Sequence, residues 1–247
     1  MRLLLVSSSP WRCFEAQLLL RMISAVVLKR LAKLKQKKYR EAERLFIAEG
    51  QKFVEEASAP PVHLLAEPSA VRRLSTLTTP ASTVAVFPFL DVSPEELMLN
   101  RDRIVLLCGV QDPGNVGTVI RAAHAFRAGV ALTKGTADLY NPKTVRATMG
   151  SIFHAPVSRD LDALEFLASS HASGFETVAA VPLGGDTPGS LPAAKLAIVV
   201  GAEGSGLPEE VAAACSRRVT IPALVASLNA AVAASILLYE AYMRMLL

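Results

Sequence analysis

Cysteine is scarce and scattered in this chain. Cys13, Cys108 and Cys215 are the three, and no two stand at metal-ligand spacing. That argues against a zinc ribbon and a disulfide framework, and points to a reducing compartment. Cys108, inside an apolar run, reads as a small buried hydrophobe. Long apolar runs are missing too. Leu3-Leu4-Leu5-Val6 is too short for the core of a signal peptide, and Glu240 and Arg244 interrupt the apolar tail, which reads as a buried helix and not a membrane span. There is no Gly-Lys-Ser/Thr phosphate loop and no Gly-x-Ser-x-Gly elbow. Gly201, Gly204 and Gly206 run Gly-x-x-Gly-x-Gly, not in the dinucleotide order. Nucleotide hydrolysis, nicotinamide chemistry and serine hydrolysis therefore start weak. His63, His124, His154 and His171 are scattered and give no catalytic pair or metal site. Acid is absent between positions 29 and 40, where Lys29, Arg30, Lys33, Lys35, Lys37, Lys38 and Arg40 cluster. Such a run fits a contact for a phosphate backbone or a solvated helix face, and composition does not choose between them.

What is present is enough for one large or two small domains. The 247 residues are 51% hydrophobic and 19% charged, which allows a substantial core, and the net charge of +4 hints weakly at an anionic partner. Positions 1–21 are expected to be an N-terminal extension of a cytoplasmic protein. The many Arg and Lys of positions 1–40, with the single acid Glu15, keep organellar targeting as a minority reading. Positions 22–90 form one expected unit: a basic helix over 23–43, strands near 45–48, 62–65 and 82–87, and a helix over 49–57. A linker is expected at 91–103, where Ser93-Pro94-Glu95-Glu96 looks like a helix cap and first turn. From 104 to 247 strand and helix patterns alternate. Strands are expected at 104–110, 129–133, 176–181, 195–200 and 217–222, and helices at 116–127, 142–149, 160–171, 208–214 and 227–246. That rhythm predicts an α/β fold with a mostly parallel sheet.

Three loops after apolar strands concentrate turn formers and polar side chains. The first is Gln111-Asp112-Pro113-Gly114-Asn115-Val116-Gly117, followed by Arg121. The second is Gly201-Ala202-Glu203-Gly204-Ser205-Gly206-Leu207. The third is Ile221-Pro222-Ala223-Leu224-Val225-Ala226-Ser227-Leu228-Asn229. Taken singly, Asp112, Asn115, Ser227 and Asn229 are turn formers or helix caps, Arg121 a surface residue and Glu203 a loop acid. Ligands bind at the carboxyl ends of strands in open α/β sheets, and three such loops at three strand ends point to a site.

Together, in this order, the loops resemble the three motifs of the SpoU, or TrmH, family of RNA ribose methyltransferases, within the SPOUT superfamily. Asn141-Pro142-Lys143 and Val145-Arg146-Ala147-Thr148-Met149-Gly150 resemble a further family segment. Positions 22–90, most clearly Lys38-Tyr39-Arg40 and Leu45-Phe46-Ile47-Ala48-Glu49-Gly50, are similar to the family's small ribosomal-protein-like α/β domain that binds RNA. The resemblance implies a C-terminal SPOUT domain with a trefoil knot, a homodimer without membrane attachment, S-adenosylmethionine as methyl donor and a ribose 2′-hydroxyl as acceptor. The extra N-terminal domain tilts the substrate towards large-subunit ribosomal RNA over transfer RNA. A transfer RNA enzyme, a base-nitrogen methyltransferase and an inactive RNA-binding module are the competing readings.

By the same resemblance Arg121 sits at the acceptor hydroxyl, as base or as a grip on phosphate. A free arginine stays protonated to above about pH 12, which sits badly with the first role. Asn115 orients Arg121 or the ribose, Glu203 holds the arginine or another loop, and Ser227 and Asn229 sit near the acceptor. Gly201, Ile221, Pro222, Leu228 and Ala230 hold the cofactor, and no metal is implied. Lys33, Lys35, Lys37, Lys38, Arg40 and Arg146 are the expected RNA contacts. One departure stands out: between Ile221-Pro222 and Ser227-Leu228-Asn229 the family commonly has a longer loop with a glycine.

Overall fold

The computed structural model describes residues 24–246; the expected extension at 1–21 lies outside them. The chain divides after Phe89 into two compact units.

In the first unit α1 (Ala25–Ala32), a 3-10 turn (Lys33–Lys35) and α2 (Lys37–Glu43) lead into β1 (Leu45–Glu49). Then come α3 (Gln51–Glu56), β2 (His63–Leu65), α4 (Pro68–Leu74) and β3 (Val84–Pro88). The strands form an antiparallel sheet in the order β1-β3-β2. Leu31, Leu34, Ile47, Leu65, Leu74, Val84 and Val86 build its core. The single basic helix expected over 23–43 is broken. Gln36 is extended at φ −102° and ψ 135°, so the run becomes two helices around a tight turn. Arg40 is the physical reason the break holds. Its guanidinium is buried and Nη1 donates to the carbonyls of Leu34 and Lys35 at 2.8 and 2.9 Å.

The second unit opens with α5 (Pro94–Asn100), capped by Ser93. The segment expected to be a linker thus carries a helix, and its Leu97 and Met98 are in the core of this unit. Six parallel strands follow in the order β6-β5-β4-β8-β7-β9. They are β4 (Arg103–Cys108), β5 (Gly129–Thr133), β6 (Val157–Leu161), β7 (Glu176–Ala180), β8 (Leu196–Gly201) and β9 (Arg217–Val219). Central β4 and β8 are buried nearly throughout because helices cover both faces of such a sheet. Cys108 lies among them as a hydrophobe, and burial pushes its thiol up to about 12. Helices α6 (Pro113–Ala125), α7 (Pro142–Ala147), α8 (Ala163–Ala172), α9 (Glu209–Ala214) and α10 (Ala230–Leu246) complete the unit.

β6 has no counterpart among the expected strands. It is an edge strand, carries Arg159 and Asp160, and Asp160 adopts a φ of 60°, so alternation is lost in sequence. β9 stops at Val219, short of 222, and α10 starts at Ala230, not 227; the residues between leave the sheet as an open loop. Among the described residues no helix is long and apolar enough to cross a membrane.

Candidate active site

Paired β4 and β8 place Cys108 level with Gly201, so the first two loops leave the sheet side by side. After β4, Asp112 caps α6: its Oδ1 accepts from Gly114 N at 2.6 Å, with Pro113 at the first helical position, where a missing N–H costs nothing. Asn115 is thereby fixed in the first turn of α6. After β8 the chain folds back on itself. Ala202 and Gly206 exchange backbone hydrogen bonds of 2.9 and 3.2 Å, and Gly206 has a φ of 68°. A Cβ on Gly201 would stand 2.2 Å from the Gly206 carbonyl carbon, so only glycine fits there. This turn holds Glu203 above the crevice.

A chain of hydrogen bonds ties the three loops. Asn115 Nδ2 donates to Glu203 Oε1 at 2.5 Å. Asn229 Nδ2 donates to Asn115 Oδ1 at 3.1 Å. Asn229 Oδ1 accepts from Ala231 N at 2.9 Å and Val232 N at 3.2 Å, capping α10. The primary amide at 115 gives a proton to a carboxylate with its nitrogen and receives one from an amide with its oxygen.

Beside this chain opens a cavity of about 460 Å³, within the roughly 300–1,000 Å³ usual for small-molecule sites. Its walls come from the carboxyl ends of β7, β8 and β9: Val181 and Pro182, then Gly201, Glu203 and Leu207, then Ile221, Ser227 and Leu228, with Ala230 behind. The lining is apolar apart from a few groups, among them Glu203, Ser227 and an Arg218–Glu209 ion pair of 2.7 Å. Residues 222–227 are exposed and apolar but for Ser227, with Leu224 and Val225 uncovered.

The structure brings together Asn115, Glu203 and Asn229, and sets Gly201, Ile221, Ser227, Leu228 and Ala230 around the cavity. Pro222 is exposed and outside the lining. Arg121 stands apart. It is exposed, a turn and a half along α6 from Asn115, and among the described residues it has no hydrogen-bond or ion-pair partner. Of the two partners expected for Glu203, the arginine or another loop, it bonds the loop, through Asn115, and Asn115 bonds Glu203 and Asn229 and not Arg121. Lys33, Lys35, Lys37 and Lys38 are exposed, and the Lys33 and Lys38 ammoniums lie 5.2 and 4.9 Å from the Tyr39 ring centroid. Arg40, expected among the RNA contacts, is instead a buried brace. Arg146 is half-buried on α7. Sequence reading missed Val181, Pro182, Glu209 and Arg218; the end of strand β7 was the available signal for the first two.

A parallel α/β domain with a cavity at its strand ends, beside an interlocked polar loop set, is the frame of a protein that binds a small molecule there. The profile of the SpoU rRNA Methylase family matches residues 102–239, and that of the MRM3-like substrate binding domain matches residues 26–96. The chain belongs to the SpoU rRNA methylase family. It is 32% identical to the 23S rRNA (guanosine(2553)-2′-O)-methyltransferase RlmP of Bacillus subtilis, over 84% of this chain and 92% of that one. Among solved structures, a putative TrmH-family RNA methyltransferase from Porphyromonas gingivalis superposes with a TM-score of 0.79 at 34% identity, over 90% of this chain and 98% of that one. The AdoMet-bound rRNA methyltransferase from Sinorhizobium meliloti superposes with a TM-score of 0.81 at 29% identity, over 89% and 96% of the two chains.

Proposed function

We propose that this chain transfers a methyl group from S-adenosylmethionine to a ribose 2′-hydroxyl of RNA, large-subunit ribosomal RNA ahead of transfer RNA, in the cytoplasm. The observation that carries the reading is the cavity at the strand ends with Glu203 in its wall, since Glu203 is tied through Asn115 to Asn229 and the three motif loops are thereby held together. The ribosomal relative in Bacillus subtilis and the AdoMet-bound relative from Sinorhizobium meliloti support the substrate and the cofactor.

The residues present fit that cofactor. A flat purine suits a slot whose walls include the apolar side chains of Val181, Ile221 and Leu228, with Gly201 in the same wall. Gly201, Ile221, Leu228 and Ala230 would hold it, with Pro222 shaping the loop from outside. When bound, it supplies an electrophilic methyl carbon on a sulfonium. The rest is positioning: the chain must align the hydroxyl with that carbon and help remove its proton. Ser227, in the cavity lining, would meet the ribose. Lowering an arginine's hold on its proton takes burial or neighbouring cations. Arg121 is exposed, so we assign it to a bidentate grip on the phosphate beside the acceptor, whose oxygen assists deprotonation.

Two features of assembly belong to the same reading. A trefoil knot is part of the same proposal, and the segments it would involve are in tight contact where Gly185 meets the chain leaving β9. A Cβ there would stand 2.6–2.8 Å from Val219 and Thr220 backbone atoms, and Gly185 N donates to Thr220 Oγ1 at 2.9 Å. From that edge the chain returns to the sheet centre, where α10 packs on α6, β4 and β8. A homodimer is supported by the apolar stripe left open along α10, with Val232 48%, Tyr239 46% and Leu246 58% exposed.

The test is tritiated methyl transfer to total RNA from a strain lacking the protein, followed by mass spectrometry of the methylated nucleoside. A single 2′-O-methylated ribose in large-subunit RNA is expected. A point charge cannot replace the planar fork, so Arg121→Lys is expected to cut transfer about 100-fold while cofactor binding stays intact. Full activity of that variant would reject its role, and a methylated base nitrogen would reject ribose chemistry.

A further inference from the structure

His124 and His154, far apart in sequence, come together in the fold. His124 near the end of α6 stacks on His154, which follows the 3-10 turn Ser151–Phe153. Their ring centroids are 4.6 Å apart with planes 17° from parallel, and His124 Nδ1 lies 3.2 Å from Ser151 Oγ. Both histidines are exposed. Stacking and the serine contact fix two imidazoles in one orientation at the surface.

Their place on the helix matters. Gly117 faces α7 so closely that a Cβ would stand 2.5 Å from the Ala147 Cβ. Residues four and seven further on share that stripe, and these are Arg121 and His124. Arg121 therefore lies one turn from the histidine stack on the same side of α6. Arg127 and Lys143 are exposed nearby on α6's end and on α7, and Arg146 is half-buried. Acid is nearly absent: from Pro113 to Arg159 the only carboxylate side chain is Asp138, whose Oδ1 accepts from Tyr140 N. A surface of arginine, lysine and stacked imidazole with so little acid suits a polyanion, and an imidazole N–H suits a phosphate oxygen.

We infer that His124 and His154 continue the Arg121 contact, holding the phosphate next along the RNA strand from the acceptor nucleotide. The inference rests on the methyl-transfer reading and adds the path the RNA takes: along the outer stripe of α6, away from the cofactor cavity. Single-turnover transfer at varied RNA concentration tests it, with cofactor affinity measured by calorimetry. His124→Ala with His154→Ala is expected to raise the half-saturating RNA concentration about tenfold, as for loss of one charge-assisted hydrogen bond. The plateau rate and cofactor affinity stay at wild-type values. His124→Arg in the His154→Ala background is expected to recover most of the loss, since a cation serves phosphate there. Unchanged half-saturation in the double variant overturns the inference. So does a loss that arginine leaves unrepaired, which marks the stack as structural. Wild-type protein that binds cofactor but methylates no RNA counts instead against the methyl-transfer reading, and removes this one with it.

Discussion

At the scale of single residues, burial sorts a basic run that composition treats as uniform. Lys33, Lys35, Lys37 and Lys38 project to solvent, whereas Arg40, two positions on, is turned inward to brace the break at Gln36. The two kinds of residue should fail differently. Arg40→Met strips the Leu34 and Lys35 carbonyls of their donor, at a cost of about 1–3 kcal/mol. In a unit this small each kcal/mol moves the melting temperature by about 4–8 °C, and calorimetry of the full chain should show that loss. Changing Lys35, Lys37 and Lys38 to Glu should leave melting nearly unaltered. RNA affinity should fall, with a shallower dependence on salt as phosphate contacts vanish. An Arg40→Met protein that melts like wild type but binds RNA poorly would restore Arg40 to the RNA surface. The basic character of this run was legible in sequence. Which cation is structural was not, because that depends on a chain reversal that no periodicity announces.

At the scale of elements, the motif loops were legible because their function demands unusual residues: a Pro and caps to start α6, glycines to fold back after β8, an amide to start α10. The links between loops were not. Asn115, Glu203 and Asn229 come from three loops distant in sequence; the β4–β8 pairing makes the first two neighbours, and the packing of α10 on α6 brings in the third. Asn229 does two jobs that substitution can separate. Asp at this position keeps an oxygen to cap α10 but loses the donor to Asn115 and sets a second carboxylate near Glu203. Asn229→Asp should therefore melt close to wild type and lose transfer about 10–100-fold through misplaced loops. Asn229→Ala should lose the cap as well, for about 1 kcal/mol. Thermal melts beside methyl-transfer rates distinguish the two. Equal activity of the Asp variant and wild type would show that the loops hold register without this bond.

At the scale of the whole molecule, alternating strands and helices foretold a parallel sheet, but strand order, the edge strand β6 and the return of the chain from β9 to the sheet centre follow from tertiary packing alone. The same holds for what lies outside one chain. Along α10, Ala231, Ala234, Leu237, Leu238 and Ala241 point into the core, while Val232, Tyr239 and Leu246 leave an apolar stripe in water. Phe126 at the end of α6 extends it, its ring 5.7 Å from that of Tyr239. A stripe like this has a reason to be covered, and a two-fold pairing of identical chains covers it with the same surface. Light scattering behind size exclusion should give twice the 26.3 kDa chain mass for the wild type. Val232→Glu with Tyr239→Glu places two charges in the paired stripe and should return the mass to that of one chain. The cavity is lined within a single chain, so cofactor binding should survive in the monomer. A double variant that keeps the doubled mass would move the interface elsewhere on the fold, and a wild-type protein at the mass of one chain would reject the dimer itself.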